Sequence, residues 1–250
     1  MSWIRYRRGR PDAVARLFCL PFAGGTAQTY RSWVALAPAE LEICPIQLPG
    51  REERSREPLF VRMAELVREL AAAIEPHTDL PYGIFGHSMG ARVAFELTRK
   101  LRDDGARGPV HLFVSGSRAP HVPSGGPDLH CMNDADLIEE LRQLGGTPED
   151  VLDDAETMAG LLPVLRADFE VLETYHFDGE DRVDCDITAY RGAADPCASR
   201  AGTQEWGRLT TGRFTLKTYP GNHFFVMPHG RSILNETGVR IFRSLAEAPV

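Results

Sequence analysis

Cysteine is scarce in this chain: Cys19, Cys44, Cys131, Cys185 and Cys197 are odd in number, widely scattered and form no C-x-x-C pair. Neither a disulfide framework nor a zinc cluster is indicated by that spacing, and the thiols read as reduced groups of a cytoplasmic protein. No stretch approaches the ~18 uninterrupted apolar residues of a membrane-spanning helix. The N-terminal Ser2-Trp3-Ile4-Arg5-Tyr6-Arg7-Arg8 is basic but has no apolar segment behind it, which argues against a secretory signal. Excess positive charge is missing as well. The formal net charge of -7 is the wrong sign for long-range attraction to nucleic acid or to an anionic membrane. Repeats and low-complexity tracts are also absent.

What remains is a chain of 250 residues with 43% hydrophobic content, enough to bury one full core. Short apolar runs recur at Ala15–Leu20, Ile43–Leu48, Tyr82–Phe85, Val110–Val114, Ile187–Arg191 and Phe214–Tyr219, each of a length that suits a buried strand. Between them, Val61, Leu66, Val67, Leu70 and Ile74 share one helical face before Pro76. Val93, Ala94, Leu97 and Leu101 share another before Gly105. This alternation predicts a single α/β domain over residues 1–250, with a mostly parallel central sheet and helices on both faces. About seventy residues between Ser115 and Ile187 contain no convincing strand, too long a gap for a plain loop. They predict an inserted helical lid at about 120–182. Its front, Pro120 to Pro127, is turn-rich; helices are expected over Asp134–Leu144, stopped by Gly145-Gly146, and over Thr157–Tyr175.

The pentapeptide Gly86-His87-Ser88-Met89-Gly90 follows an apolar run and opens a helical stretch, the order strand, sharp turn, helix. A serine at such an apex is pushed out of the sheet, and the flanking glycines leave room for the tight backbone. A chain of this composition shows G-x-S-x-G by chance roughly one time in ten, so its context must carry the argument. Partners are expected in the order nucleophile, acid, histidine, each just past the C-terminal end of a strand. Asp195 lies beyond Ile187–Arg191, and His223 lies beyond Phe214–Tyr219. Ser88, Asp195 and His223 are therefore the candidate catalytic residues: the imidazole takes the serine proton, and the carboxylate sets its tautomer and stabilises the imidazolium. Backbone N–H groups should face the developing oxyanion. Met89 follows the nucleophile, and Ala23, with Phe22 as an alternative, lies in the loop after the first strand.

Other polar residues have plainer readings. Asp184 and Asp186 precede their strand and fall at the wrong end of the sheet, while Asp168 sits on an expected lid helix and reads as a solvated face. His87 should point away from the reacting centre, His111 lies inside a strand, His121, His130 and His176 belong to the lid region, and His229 reads as a surface or capping group. No pair shows metal-ligand spacing, so no metal is expected. The arginines at 5, 7, 8 and 10 and at 51, 54 and 56 read first as solvated surface, with attraction of an acidic partner as the alternative.

The chain resembles the type II thioesterases that accompany polyketide synthases and nonribosomal peptide synthetases, within the α/β-hydrolase fold. The resemblance spans nearly the whole chain and rests on Leu20–Gly25 (LPFAGG), Gln47–Arg51 (QLPGR), Gly86–Gly90, Leu144–Pro148 (LGGTP), Leu161–Phe169 (LLPVLRADF), the Gly192–Pro196 loop and Gly221–Phe225 (GNHFF). It implies hydrolysis of acyl or aminoacyl groups from the phosphopantetheine thiol of carrier proteins. It also implies Ser88, Asp195 and His223 as the triad and Ala23 and Met89 as the oxyanion donors. The partners implied are acyl or peptidyl carrier proteins, with no cofactor beyond the phosphopantetheine that the substrate carries, and a monomer is expected. Two positions depart from the family pattern, Phe22 where histidine is common and Asn222 where glycine or aspartate is common; both bear on substrate preference. The rival readings of the same residues are a small-molecule carboxylesterase or lipase, an acyltransferase, and a non-catalytic carrier-binding protein.

Overall fold

The computed structural model of the protein describes residues 2–123, 125–177 and 179–247. Six strands form one sheet: β1 (Ala15–Leu20), β2 (Leu41–Pro45), β3 (Tyr82–His87), β4 (His111–Ser115), β5 (Asp186–Gly192) and β6 (Phe214–Tyr219). Their order is β2-β1-β3-β4-β5-β6, and every neighbouring pair is parallel. The helices are α1 (Arg31–Leu36), α2 (Met63–Ile74), α3 (Met89–Asp103), α4 (Asp134–Leu144), α5 (Glu149–Leu152), α6 (Ala155–Glu173), α7 (Arg200–Gln204) and α8 (Gly230–Glu247).

Both faces of the inner strands are covered, which is why these are mainly apolar runs and not alternating ones, whereas the edge strand β6 is only partly buried. Along β1 the side chains alternate between two cores. Phe18 and Leu20 join Leu66, Leu70, Val93 and Leu97 of α2 and α3, whereas Leu17 and Cys19 join Trp33, Ile233 and Ile241 of α1 and α8. The second strand lies earlier than the apolar run suggests, at Leu41–Pro45 instead of Ile43–Leu48. Ile46 and Leu48 are apolar because they are buried, but Ile46 leaves the parallel ladder to form an isolated antiparallel bridge with Ile4.

From β1 the chain winds outward to β2, then returns past β1 to β3, so the loops leaving β1 and β3 part company at a switch in strand order. Open α/β sheets bind ligands at such points, beyond the carboxyl ends of the strands. Leu20 and Gly86, the closing residues of this pair, are in register.

Between β4 and β5, which are sheet neighbours, the chain inserts α4, α5 and α6. Leu137, Leu141, Leu152, Met158, Leu162, Leu165 and Phe169 give this insertion a small core of its own. Asn133 caps α4 by accepting the Asp136 N–H, and Gly145, in the left-handed region at φ +69°, ends it; Asp154 caps α6 in the same manner as Asn133. The helix expected over Thr157–Tyr175 runs from Ala155 to Glu173, and α5 is an additional short turn of helix. Among the described residues, no helix is long and apolar enough to cross a membrane.

Candidate active site

Ser88 stands between β3 and α3 with φ 55° and ψ -114°, a left-handed backbone that non-glycine residues seldom adopt. Its neighbours make the turn possible. A Cβ on Gly86 would fall 2.0 Å from the Gly90 carbonyl oxygen, and one on Gly90 would fall 2.4 Å from that of Leu20. The second contact also shows that the elbow packs directly on the loop leaving β1, which brings Phe22 and Ala23 close to the start of α3. The Ser88 N–H donates to the Ser115 carbonyl at 2.7 Å, tying the elbow to the end of β4.

Asp195 and His223 reach the serine from the next two strand ends. The loops that carry them are packed backbone to backbone: Ala194 N–H donates to Gly221 O at 2.9 Å, and a Cβ on Gly192 would meet Asn222 O at 2.3 Å. His223 Nδ1 lies 3.0 Å from both carboxylate oxygens of Asp195, and Nε2 lies 3.0 Å from Ser88 Oγ. A carboxylate can only accept, so Nδ1 carries the proton, and Nε2 accepts from the serine hydroxyl. Both partners are almost sealed from solvent, Asp195 at 4% exposure and His223 at 5%. The Cys197 N–H donates to Asp195 Oδ1 at 2.9 Å, which helps hold the carboxylate in place. This arrangement can move a proton from the hydroxyl to the ring while the carboxylate holds the ring's orientation.

A cavity of about 490 Å³ opens beside Ser88 and His223. Leu144 of α4 and Phe169 and Leu172 of α6 form part of its wall, with Phe177 beyond them, so the insertion stands over the serine.

Residues 15–238 match the thioesterase domain family. The chain is 44% identical over 225 residues to the gramicidin S biosynthesis protein GrsT of Aneurinibacillus migulanus, covering 90% of this chain and 88% of that protein. It is 37% identical to the thioesterase PikA5 of Streptomyces venezuelae over 237 residues, 94% of this chain and 83% of that protein. Among solved structures, the type II thioesterase BorB from the borrelidin biosynthetic cluster superposes with a TM-score of 0.87 at 36% identity, covering 96% of this chain and 99% of BorB. The chain belongs to the thioesterase family. Its members are hydrolases acting on thioesters, and its structural neighbours are thioesterases of the α/β-hydrolase fold.

Several residues of this thioesterase differ from the sequence expectation. Asp168, expected on a solvated face, is buried: its oxygens accept from Arg51 Nη1 and Nη2, both at 2.8 Å, and Oδ2 also accepts the Gly24 N–H at 2.7 Å. Arg51 and Arg54, expected on the surface, are buried as well. Arg51 also reaches Gly25 O at 3.2 Å; Arg54 donates to Gln47 O at 2.7 Å, pairs with Glu57 and lies over the Trp3 ring. Charge alone does not reveal burial, because a guanidinium is accommodated in the interior wherever carbonyls and carboxylates meet its fork. The result is that the loop after β1 is held from two sides, by Arg51 of its neighbour loop and by Asp168 of the insertion.

His87 packs behind the site as part of its foundation. Its Nδ1 meets Ser115 Oγ at 2.9 Å, its ring lies 5.2 Å from that of His223, and a Cβ on Gly116 would sit 2.5 Å from it. Burial, and secondarily His223, hold its pKa well below the usual range, so this ring is neutral. Cys197, unremarkable in the sequence, brings its Sγ within 4.8 Å of Asp195 and His223, a grouping with metal-ligand character. Its thiol is a poor metal donor, because burial and then Asp195 push its pKa up to about 11. All five cysteines are free.

Proposed function

We propose that this protein is a type II thioesterase acting on acyl or aminoacyl groups held on the phosphopantetheine thiol of carrier proteins in a cytoplasmic assembly line. Ser88 Oγ attacks the thioester carbonyl while His223 Nε2 takes its proton; the C–S bond breaks, and the thiol leaves with that proton. Water then attacks the Ser88 ester, giving its proton to His223. The acid departs, and the serine is restored. Asp195 orients the ring and stabilises the transient imidazolium. The N–H groups of Met89 and Ala23 are our choice for the oxyanion donors, with that of Phe22 the other loop candidate.

The observation that carries this reading is the continuous chain of contacts from Asp195 through His223 to Ser88 at 3.0 Å each. Relatives named for gramicidin S biosynthesis and for the borrelidin biosynthetic cluster support a carrier-borne substrate. We read α4 to α6 as the lid, whose Leu144, Phe169 and Leu172 receive the acyl chain.

The test is hydrolysis of acetyl-pantetheine by the wild type and by Ser88→Ala. A drop of at least about a thousandfold in kcat is expected, and wild-type turnover by the variant would refute the mechanism. A kcat/KM for matched oxygen esters equal to that for carrier-bound thioesters would favour a carboxylesterase instead.

A further inference from the structure

The residues on either side of His223 both lean on the lid. Asn222 Nδ2 would stand 3.4 Å from a Cβ on Gly145, and Phe224 Cζ would stand 1.9 Å from one on Gly146. These two glycines follow α4, and Leu144, the residue before them, lines the cavity at Ser88. Gly145 takes the left-handed φ of +69° that ends the helix, but Gly146 does not share that backbone region, so what it supplies is room for the ring. Asn222 Oδ1 accepts the Phe224 N–H at 3.0 Å, which ties the two flanking residues together across the histidine.

Phe224 is wedged among parts that the reaction needs. Its ring meets that of Phe22, in the loop after β1, edge to face at 5.0 Å, and that of His223 at 5.1 Å and 88°. The His87 ring lies 6.1 Å away. Edge-to-face pairs of this kind are favourable, and close-packed side chains pass displacements on to their neighbours. Asp195 holds only the Nδ1 side of the His223 ring. A hydrogen bond at that one atom leaves the ring plane free to tilt, and a second ring packed perpendicular to it restricts the tilt. Phe224 stands outside the cavity wall, so its influence reaches the reaction through His223 and not through contact with the acyl chain.

We propose that Phe224 is a positioning residue for His223: seated in the notch at Gly146 and against Phe22, it keeps Nε2 aligned with Ser88 Oγ, so that the placement of the lid sets the rate of proton transfer. The inference rests on the proposed role of His223 as the base and adds the part that steadies it.

The test is a steady-state comparison on acetyl-pantetheine, whose two-carbon acyl group asks little of the lid. Gly146→Ala places a methyl group where the Phe224 ring stands and should lower kcat by about tenfold or more with KM nearly unchanged. Phe224→Leu should lower kcat in the wild-type background yet raise it in the Gly146→Ala background, because the smaller side chain leaves room for the methyl group. Phosphonylation of Ser88 by diisopropyl fluorophosphate, which also depends on His223, should slow in step with kcat. A wild-type kcat for Gly146→Ala overturns the proposal, as do losses that multiply in the double variant, a loss confined to KM, or phosphonylation that does not slow. If Gly146→Ala fails to fold, Phe224→Leu decides: a reduced kcat at unchanged KM supports the seat, and a wild-type kcat overturns it. Variants that match an active wild type defeat this inference alone; a wild type that does not turn over acetyl-pantetheine defeats the thioesterase reading beneath it.

Discussion

Arg51 and Asp168 face each other through two 2.8 Å hydrogen bonds in the protein interior, and the carboxylate that closes this pair also accepts the Gly24 N–H. One side chain of α6 therefore joins the inserted helices to the loop that carries Ala23. Removing one partner leaves the other as an uncompensated buried charge, which costs about 3–5 kcal/mol. Asp168→Ala should lose stability of that order in urea unfolding, and the double variant Arg51→Met, Asp168→Leu should recover much of it. An Asp168→Ala protein as stable as the wild type would contradict the pairing.

His223 and Ser88 act as one unit if the proposed proton transfer is correct. His223→Ala and Ser88→Ala should each lower kcat on acetyl-pantetheine by at least about a thousandfold, and the double variant should be scarcely worse than either. Multiplicative losses in steady-state kinetics would mean that the two groups act independently.

Leu172 projects from α6 into the cavity wall. Replacing it with tryptophan should remove space for long acyl chains more than for short ones. The ratio of kcat/KM for octanoyl-pantetheine to that for acetyl-pantetheine is expected to fall by about tenfold or more. A chain-length profile identical to the wild type would place the acyl group elsewhere.

His111 makes the protein sensitive to acid. Its ring lies against Phe113, with Nε2 2.8 Å from Thr188 Oγ1, and burial outweighs the opposing charge of Asp186 to bring its pKa down to about 4, with Arg240 and Arg213 adding to the drop. An unfolded histidine titrates near 6.5, so between these values the unfolded chain binds the extra proton. The contribution is complete above about pH 6.5 and is lost as pH falls toward 4, amounting to about 3 kcal/mol in all. Urea midpoints measured across that range should fall less steeply for His111→Gln than for the wild type, and parallel curves would refute the assignment. His87, held neutral by its burial, adds to the same slope in the wild type and the variant alike.

Most of the sheet was legible because parallel strands covered on both faces are mainly apolar. Ala15–Leu20 and Phe214–Tyr219 match the observed strands end to end, and the helix over Asp134–Leu144 was marked by its glycine stop. The second strand was displaced because Ile46 and Leu48 are apolar for burial outside the ladder. Asp168, Arg51 and Cys197 escaped notice for another reason: their surroundings come from segments remote in the chain, so no local pattern distinguishes them from surface groups or spare thiols.

Local order alone determined where the backbone turns and which groups sit just past strand ends, because strand length, glycine placement and helical spacing act over a few residues. It also determined that Ser88, Asp195 and His223 stand in the sequence order this fold uses. Only the tertiary structure decided which charges are shielded and which partners they meet. Arg51 found a carboxylate 117 residues away, whereas Glu96, one turn from Arg92, turned to Arg99 and Tyr175. Pairing depends on distances of a few ångströms across the folded chain, and those are set by packing.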